Sequence, residues 1–347
     1  MPNAAASADL LAVPPSRETA FRALASHLKA GMRVALSTHI NADGDGCGSE
    51  VGMVHLLRQL GVEAHIVNPT PWPDMYRFLL TDGVVEESPR GPEALRKIDA
   101  LVVLDISDVS RLGNLADTVR ALRVPKLVID HHIATDEPAG DIAVSDTAAC
   151  ATGELVFDFS RVLGLELTAE IGTALYAAIL TDTGGFRFSN TTPRCHAVAG
   201  VLLATGVEPE EMYRRVYASV PVGKLALLRE ALGTLDLDAG RGLAWISVPA
   251  GAMERYNVRA EDLDGIVEHP RSIAGTRLAL FFRDLGHRRV KVSFRSTGEV
   301  DVNALAREFG GGGHAKASGA LIVGSLEEVE QRVVDAARAY LDSLGTP

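Results

Sequence analysis

At 347 residues the chain is long for one hydrophobic core and ample for two, and its 47% hydrophobic and 23% charged composition is that of an ordinary soluble protein. No apolar run approaches the roughly 18 to 20 residues that span a bilayer, so no membrane partner is expected. A formal net charge of −11 argues against a broad basic face for long nucleic acid; any nucleic acid would be a short piece at a local basic pocket.

Residues 1–16, MPNAAASADLLAVPPS, lack the basic segment of a signal peptide and read as a disordered tail. Residues 33–38 read as a strand. A helix follows over 48–60, with Val51, Val54 and Leu57 on one apolar side and Gly61 as its stop. Residues 62–67 read as the next strand. The runs 100–104 (ALVVL) and 126–129 (KLVI) are of the kind buried in parallel sheets. Residues 153–163, 168–180 and 193–204 look helical. This alternation predicts an α/β domain over 17–207, with a mostly parallel sheet flanked by helices. Residues 208–240 are charged and helical, and predict a connector. Strands at 243–248, 276–283, 290–295 and 320–323, with helices at 302–309 and 326–344, predict a smaller α+β domain over 241–347. Cys47, Cys150 and Cys195 are odd in number and widely spaced, which speaks against a disulfide framework or a CxxC zinc site and fits a reducing cytoplasm.

Each apolar run of the first block ends on a potential metal ligand. Residues 33–38 run into His39, with Asp43 and Asp45 following; ALVVL runs into Asp105; KLVI runs into Asp130-His131-His132; the helical run 174–180 runs into Asp182. In open parallel sheets the site lies outside the carboxyl ends of the strands, so these groups, scattered over about 140 residues, are expected to converge. Converging carboxylates repel one another and lose hydration, and a divalent cation relieves both. Aspartate and histidine without thiolates favour Mn²⁺ or Mg²⁺, with Fe²⁺, Co²⁺ or Zn²⁺ behind them. Four aspartates and two or three histidines suit two ions bridged by one carboxylate, a pair that activates water and clamps a phosphoryl group. Asp108, Asp117, Asp146 and Asp158 read as ordinary turn or helix-capping residues.

In this order the motifs resemble the DHH phosphoesterases: His39-Ile-Asn-Ala-Asp-Gly-Asp-Gly-Cys-Gly-Ser49, Asp105, Asp130-His131-His132 and Thr181-Asp182-Thr183-Gly184. Gly310-Gly-Gly-Gly-His-Ala-Lys-Ala-Ser-Gly319 is similar to the signature of the DHH-associated C-terminal domain. The pairing resembles the NrnA subgroup, nanoRNases that also dephosphorylate 3′-phosphoadenosine 5′-phosphate (pAp). The resemblance covers roughly residues 20–343. It implies that His39, Asp43 and Asp105 bind one Mn²⁺, and that Asp45, Asp105, His131 and Asp182 bind a second, with Asp105 bridging. It implies hydrolysis by two-metal hydroxide attack on phosphorus, with His132 facing the scissile phosphate and Asp130 orienting a histidine. Gly44 and Gly46 are expected to let both aspartates turn inward, and Asn41 to support the loop. Ala42 stands where the family often has Pro, and Thr135 or Asp136 where an Asn commonly follows DHH. Cys47, where a small residue is usual, reads as a packing residue.

In the second block, Gly311, Gly312 and Gly313 would expose backbone amides as an anion cradle, with His314, Lys316 and Ser318 adding donors. Arg295 and Ser296 lie at a neighbouring strand end, and a guanidinium matches phosphate geometry. Together they are expected to grip the far end of a short nucleotide. Arg187 and Asn190 are expected to line the cleft, while Phe186 and Phe188 read as core. The expected substrates are short RNA oligonucleotides and pAp. An alternative keeps the chemistry and takes cyclic di-AMP or its linear product pApA. A RecJ-like exonuclease would need more chain, and a family II pyrophosphatase a different C-terminal motif. A non-catalytic nucleotide-binding regulator would have lost ligands that are all present here. Relatives of this kind are often homodimers, but no stripe in the chain marks an interface.

Overall fold

The computed structural model describes residues 10–259, 263 and 265–345, with the backbone alone at His314. The chain divides between Ala218 and Ser219 into two compact units. No helix among the described residues is long and apolar enough to cross a membrane.

The first unit is built on five parallel strands, β1 (Arg33–Ser37), β2 (Glu63–Ile66), β3 (Ala100–Leu104), β4 (Lys126–Asp130) and β5 (Ile142–Ser145), in the order β2-β1-β3-β4-β5. Parallel strands covered on both faces read as unbroken apolar runs, and every residue of β3 is buried. Alternate side chains of β3 enter different cores. Val102 and Leu104 join Phe21, Leu57, Phe157 and Leu175, whereas Leu101 and Val103 join Ile98, Leu112, Leu115 and Val119. The first of these cores is covered by α1 (Pro15–Ala25), α2 (Gly44–Gln59), α4 (Thr152–Leu163), α5 (Ala169–Asp182) and α6 (Pro193–Leu203). The second lies under a 3₁₀ turn (Val109–Leu115) and α3 (Ala116–Ala121).

The helices α2 and α5 approach closely because Gly48 and Gly52 have no side chain. A Cβ on Gly48 would lie 2.3 Å from the carbonyl oxygen of Ala174, and one on Gly52 would lie 2.6 Å from Leu175. β5 has no counterpart among the expected strands. It is an edge strand that buries only Val144, so its sequence carries little apolar signal. Residues 1–9 of the expected tail lie outside the described residues. From Leu10 the chain is held: Arg194 donates to the carbonyls of Leu10 and Ala12, each at 2.7 Å, and α1 begins at Pro15, a favoured residue for a first helical turn.

Within 208–240, α7 (Pro209–Val216) belongs to the first unit, and α8 (Val222–Leu232) and β6 (Asp236–Asp238) to the second. The second unit is a mixed six-stranded sheet that adds β7 (Leu243–Val248), β8 (Leu278–Asp284), β9 (Arg289–Ser296), β10 (Gly312–His314) and β11 (Ala317–Val323), in the order β10-β11-β9-β8-β7-β6. Only β7 and β8 pair in parallel. One face packs on α11 (Val302–Glu308) and α12 (Leu326–Leu344) through Phe282, Val292, Phe294, Leu305, Val333 and Leu341. The other packs on α8, α9 (Ala252–Tyr256) and α10 (Glu268–Arg271) through Ile246, Val248, Phe281 and Leu227. A capping box formed by Ser325 and Glu328 starts α12. The unit is thus α+β.

Candidate metal centre

In a sheet ordered 2-1-3-4-5 the connections change side between the first and third strands, and the crevice opens at their carboxyl ends. Chemistry-bearing residues gather there. β1 leads into Thr38 and His39, β3 into Asp105, and β4 ends on Asp130, with His131 and His132 next. The N-terminus of α2 supplies Asp43 and Asp45, and the last residue of α5 is Asp182.

Asp105 has φ +65° and Asn41 φ +56°, a left-handed conformation that costs a non-glycine residue about 1 kcal/mol or more. Gly44 and Gly46 do not have positive φ; both lie in α2, so the expectation that they turn the aspartates inward is corrected. Their role is close approach. A Cβ on Gly44 would lie 2.4 Å from the hydroxyl of Thr181, and one on Gly46 2.7 Å from that of Thr38.

The side chains form two groups joined by a third, Asp105 with His131 and His132. His39, Asp43 and Asp105 make the first, and Asp45, His131 and Asp182 the second. His39 Nε2 is 3.3 Å from Asp105 Oδ2 and 3.7 Å from Asp43 Oδ2. His131 Nε2 is 3.7 Å from Asp45 Oδ2, 3.7 Å from Asp182 Oδ2 and 3.6 Å from Asp105 Oδ1. The two oxygens of Asp105 therefore face different groups. Asp43 also caps α2, accepting on Oδ1 from the amides of Asp45 and Gly46, which leaves Oδ2 for the cluster.

The imidazoles are set to present lone pairs. His39 Nδ1 lies 2.9 Å from the carbonyl of Ile40, and His131 Nδ1 lies 3.3 Å from that of Ala149. A carbonyl only accepts, so each Nδ1 carries its hydrogen and each Nε2 is the nitrogen that a metal ion could meet. Both Nε2 atoms are buried without a hydrogen-bond partner. Two orphaned ring nitrogens among four carboxylates form the donor set of a hard or borderline divalent cation.

The electrostatics agree. Burial works against a charged His39, yet Asp105 and Asp43 outweigh it and raise its pKa to about 10. Burial, together with the charges of Asp105, Asp182 and Asp43, pushes Asp45 well above the usual carboxylate range. Asp182 is raised to about 6, chiefly by burial, with His131 pulling the other way. The cluster carries excess negative charge that a cation would neutralise.

A surrounding layer fixes the carboxylates. Asp45 accepts from the amides of Thr152 (2.6 Å) and Gly153 (2.9 Å) in the first turn of α4, and from Ser49 Oγ (3.1 Å). Thr152 Oγ1 donates to Asp105 Oδ1 (2.9 Å), and Asn190 to Asp182 Oδ2 (3.1 Å). Asp130 is fully buried and engaged by Ser107 Oγ (2.6 Å), the amide of His132 (3.1 Å) and His132 Nδ1 (2.8 Å). His132 thereby has its remaining nitrogen turned away from Asp130. The hydrogen bond to Asp130 raises the pKa of His132.

Sequence reasoning missed Ser49, Ser107, Thr152 and Gly153. The one available signal was that a helix N-terminus, here TGE at 152–154, is an anion site. Asn190, expected to line a cleft, instead holds Asp182. Thr135 and Asp136 bond Asp108 rather than the cluster, through the Thr135 hydroxyl (2.6 Å) and both amides. Phe186 packs against the core, but Phe188 is 51% exposed, over Gly184, which corrects its assignment to the core. Cys47 is fully buried and belongs to the core. Arg187 is exposed and donates to the carbonyl of Gly184.

The expected substrate residues of the second unit lie around the β9–β11 pairing. Arg295 faces Ala317, and the amide of Ser296 donates to the carbonyl of Lys316 (3.2 Å). Arg295 donates to the carbonyl of Phe294 (3.0 Å) and lies 3.5 Å from Glu268. Ser296 Oγ bonds Val300 O (2.7 Å), Lys316 Nζ bonds the carbonyls of Gly298 and Val300, and Ser318 is buried. The glycines are not an open loop. The Gly311 amide donates to Ala306 O (2.9 Å) behind α11, while Gly312 and Gly313 pair with Gly319 and Ser318. A Cβ on Gly311 would lie 2.2 Å from Gly319 O, so strand pairing itself excludes a side chain there. His314 is in β10, and its side chain lies outside the described residues.

Residues 33–179 match the DHH family, N-terminal domain, and residues 246–343 the DHHA1 domain. The bifunctional oligoribonuclease and PAP phosphatase NrnA of Thermus thermophilus is 36% identical over 313 residues, covering 90% of this chain and 91% of that protein. The protein of the same description from Bacillus subtilis is 29% identical over 306 residues, 87% of this chain and 93% of its own length. Among solved structures, an exopolyphosphatase-related protein from Bacteroides fragilis is similar at a TM-score of 0.85 and 25% identity, covering 94% of this chain and 96% of that one.

Proposed function

The chain belongs to the DHH family of phosphoesterases, hydrolases of phosphate esters, and from that premise we propose that it is a divalent-metal-dependent enzyme that degrades short oligoribonucleotides to mononucleotides and dephosphorylates pAp. The observation that carries the metal reading is the pair of buried, partnerless Nε2 atoms on His39 and His131, aimed into four carboxylates. The substrate reading is supported by relatives named for both activities over nine-tenths of the chain.

His39, Asp43 and Asp105 would hold one ion, and Asp45, His131, Asp182 and Asp105 the other. Bound there, two divalent ions would supply an activated water and neutralise charge on the phosphoryl oxygens, with Mn²⁺ the first choice. The amides of Thr152 and Gly153 favour the ionised form of Asp45 and offset part of the burial and repulsion that oppose it. Asp130 keeps the hydrogen of His132 on Nδ1, so the opposite nitrogen faces the leaving oxygen and passes it a proton. In the second unit Arg295, Ser318 and Lys316 are proposed to hold the distal end of the nucleotide, with Lys316 and Arg295 leaving their present partners to do so.

The test is a product-resolved assay with Mn²⁺ on a five-nucleotide RNA, pAp and cyclic di-AMP, each beside Asp105→Ala. Mononucleotides from RNA and phosphate from pAp, absent in the variant, are the expected result. Turnover of cyclic di-AMP alone would move the protein to a dinucleotide-signalling role. Metal-dependent nucleotide binding without turnover of any substrate would overturn the catalytic reading.

A further inference from the structure

Ten of the described arginines are buried or half-buried, and nine of them have a hydrogen-bond or ion-pair partner for the side chain. Examples are Arg17 with three carboxylates, Arg33 with Glu87, Arg194 with Glu154 and Arg338 with Asp238. The tenth is Arg111. It is half-buried, and among the described residues its guanidinium has no such partner. The charge of Arg111 acts on Asp108 at the start of its own turn, but the guanidinium keeps its hydrogen-bond donors unpaired among the described residues, and an acceptor from outside the protein can complete them.

The place of Arg111 says what that is. It sits in the 3₁₀ turn Val109–Leu115, which leaves the carboxyl end of β3 just beyond Asp105. Its carbonyl accepts from the amide of Ile40 at 3.0 Å, next to His39. The same turn is locked to that loop a second time, because Gly113 leaves room for the Ile40 side chain; a Cβ there would lie 2.7 Å from Ile40 Cδ1. On the other side, Asp108 at the start of the turn accepts from Thr135 and Asp136, in the loop that follows His131 and His132. Arg111 is thus carried by a turn fastened to the loops of both histidine groups. Asp108, the acid closest to it in sequence, is already engaged by three donors.

We propose that Arg111 is a substrate-binding residue of the first unit, whose guanidinium forks the non-bridging oxygens of the phosphoryl group undergoing hydrolysis. This rests on the phosphoesterase reading above. A planar fork of donors matches two phosphate oxygens, and negative charge on those oxygens is what the turn leaves Arg111 free to meet. The residue adds a protein cation on the side of His132, complementing a centre whose own side chains are anionic.

The experiment compares wild type, Arg111→Ala and Arg111→Lys as full-length, Mn²⁺-loaded proteins, with three readouts: Mn²⁺ binding, orthophosphate binding by calorimetry, and kcat and KM on pAp. Both variants should bind two Mn²⁺ ions as wild type does. Arg111→Ala should weaken orthophosphate about tenfold or more, and lower kcat/KM about 10²- to 10³-fold, as loss of one oxyanion donor does. Arg111→Lys should restore only part of this, because an ammonium cannot fork. Orthophosphate affinity unchanged in Arg111→Ala, or no orthophosphate binding by wild type, overturns the proposal. Loss of Mn²⁺ in Arg111→Ala would overturn it in favour of a structural role for the turn. A wild type that binds orthophosphate through Arg111 but turns over neither pAp nor RNA would leave the proposal standing and remove the assigned function.

Discussion

Replacing Arg17 by Met should destabilise the first unit strongly at neutral pH and much less in mild acid. Arg17 is 5% exposed and bonds Asp146 at 2.6 Å, Glu154 at 2.8 Å and Asp158 at 2.8 Å. Arg194 shares Glu154 and Asp158. Without Arg17, three carboxylates remain with one cation, and two of them, Glu154 and Asp158, are 0–1% exposed. Removing one partner of a buried ion pair costs about 3–5 kcal/mol; Arg194 stays in place and Asp146 can regain water, so about 3 kcal/mol is expected. In the native protein, burial opposes the ionisation of Glu154, but Arg17 and the Cys150 amide hold its pKa below the usual range. A depressed folded pKa contributes stability above the unfolded value, about 4.3, that is lost as pH falls through the folded value. Once Arg17 is gone, burial dominates and the Glu154 pKa rises above its unfolded value, so protonation then favours the folded variant. The gap between the two proteins should therefore be widest near pH 7 and close below about pH 5. Urea unfolding followed by Trp72 fluorescence in a Trp245→Phe background reads this unit alone, since the chain has two tryptophans and Trp72 is buried in the first unit. A loss under about 1 kcal/mol at neutral pH, or an equal loss at both pH values, would refute the electrostatic account.

Asn190→Ala should lower affinity for one of two Mn²⁺ ions about 10- to 100-fold while sparing the other, since Asn190 touches Asp182 alone in the cluster; calorimetric titration separates the two steps. Asp130→Asn should leave Mn²⁺ binding intact and lower kcat on pAp about 10²- to 10⁴-fold, because a neutral amide no longer supports the protonated His132 and can present its NH₂ in place of an acceptor. Mn²⁺ at about 100 times its Kd should raise the stability of the first unit by about 2.7 kcal/mol per ion, and Asp45→Asn should abolish one such increment; urea midpoints with and without chelator check this. Gly48→Ala should cost about 1–3 kcal/mol by forcing α2 from α5, read from the same transition.

Much of this protein was legible because parallel strands announce themselves. ALVVL and KLVI are runs of the kind buried in parallel sheets, and the topology then carries Asp105 and Asp130-His131-His132 to one edge. What stayed hidden depends on distance across the chain. Thr152 meets Asp45 and Asp105 from 107 and 47 residues away, and no local pattern marks it. Gly44 and Gly46 look like turn formers in sequence, yet what forbids a side chain is the approach of Thr181 and Thr38. Phe188 has the alternate spacing of a core aromatic but falls on an exposed turn after α5. Arg111 is one arginine among many until the absence of a hydrogen-bond or ion-pair partner among the described residues singles it out.

The backbone at Asp105 sets a trap for anyone engineering this protein. With φ at +65°, glycine is the residue that conformation favours, and a stabilisation screen blind to chemistry would select it. The variant would fold at least as well as its parent and would lack the one carboxylate that faces both histidine groups. Improved thermal tolerance at this position would thus be a warning of lost activity.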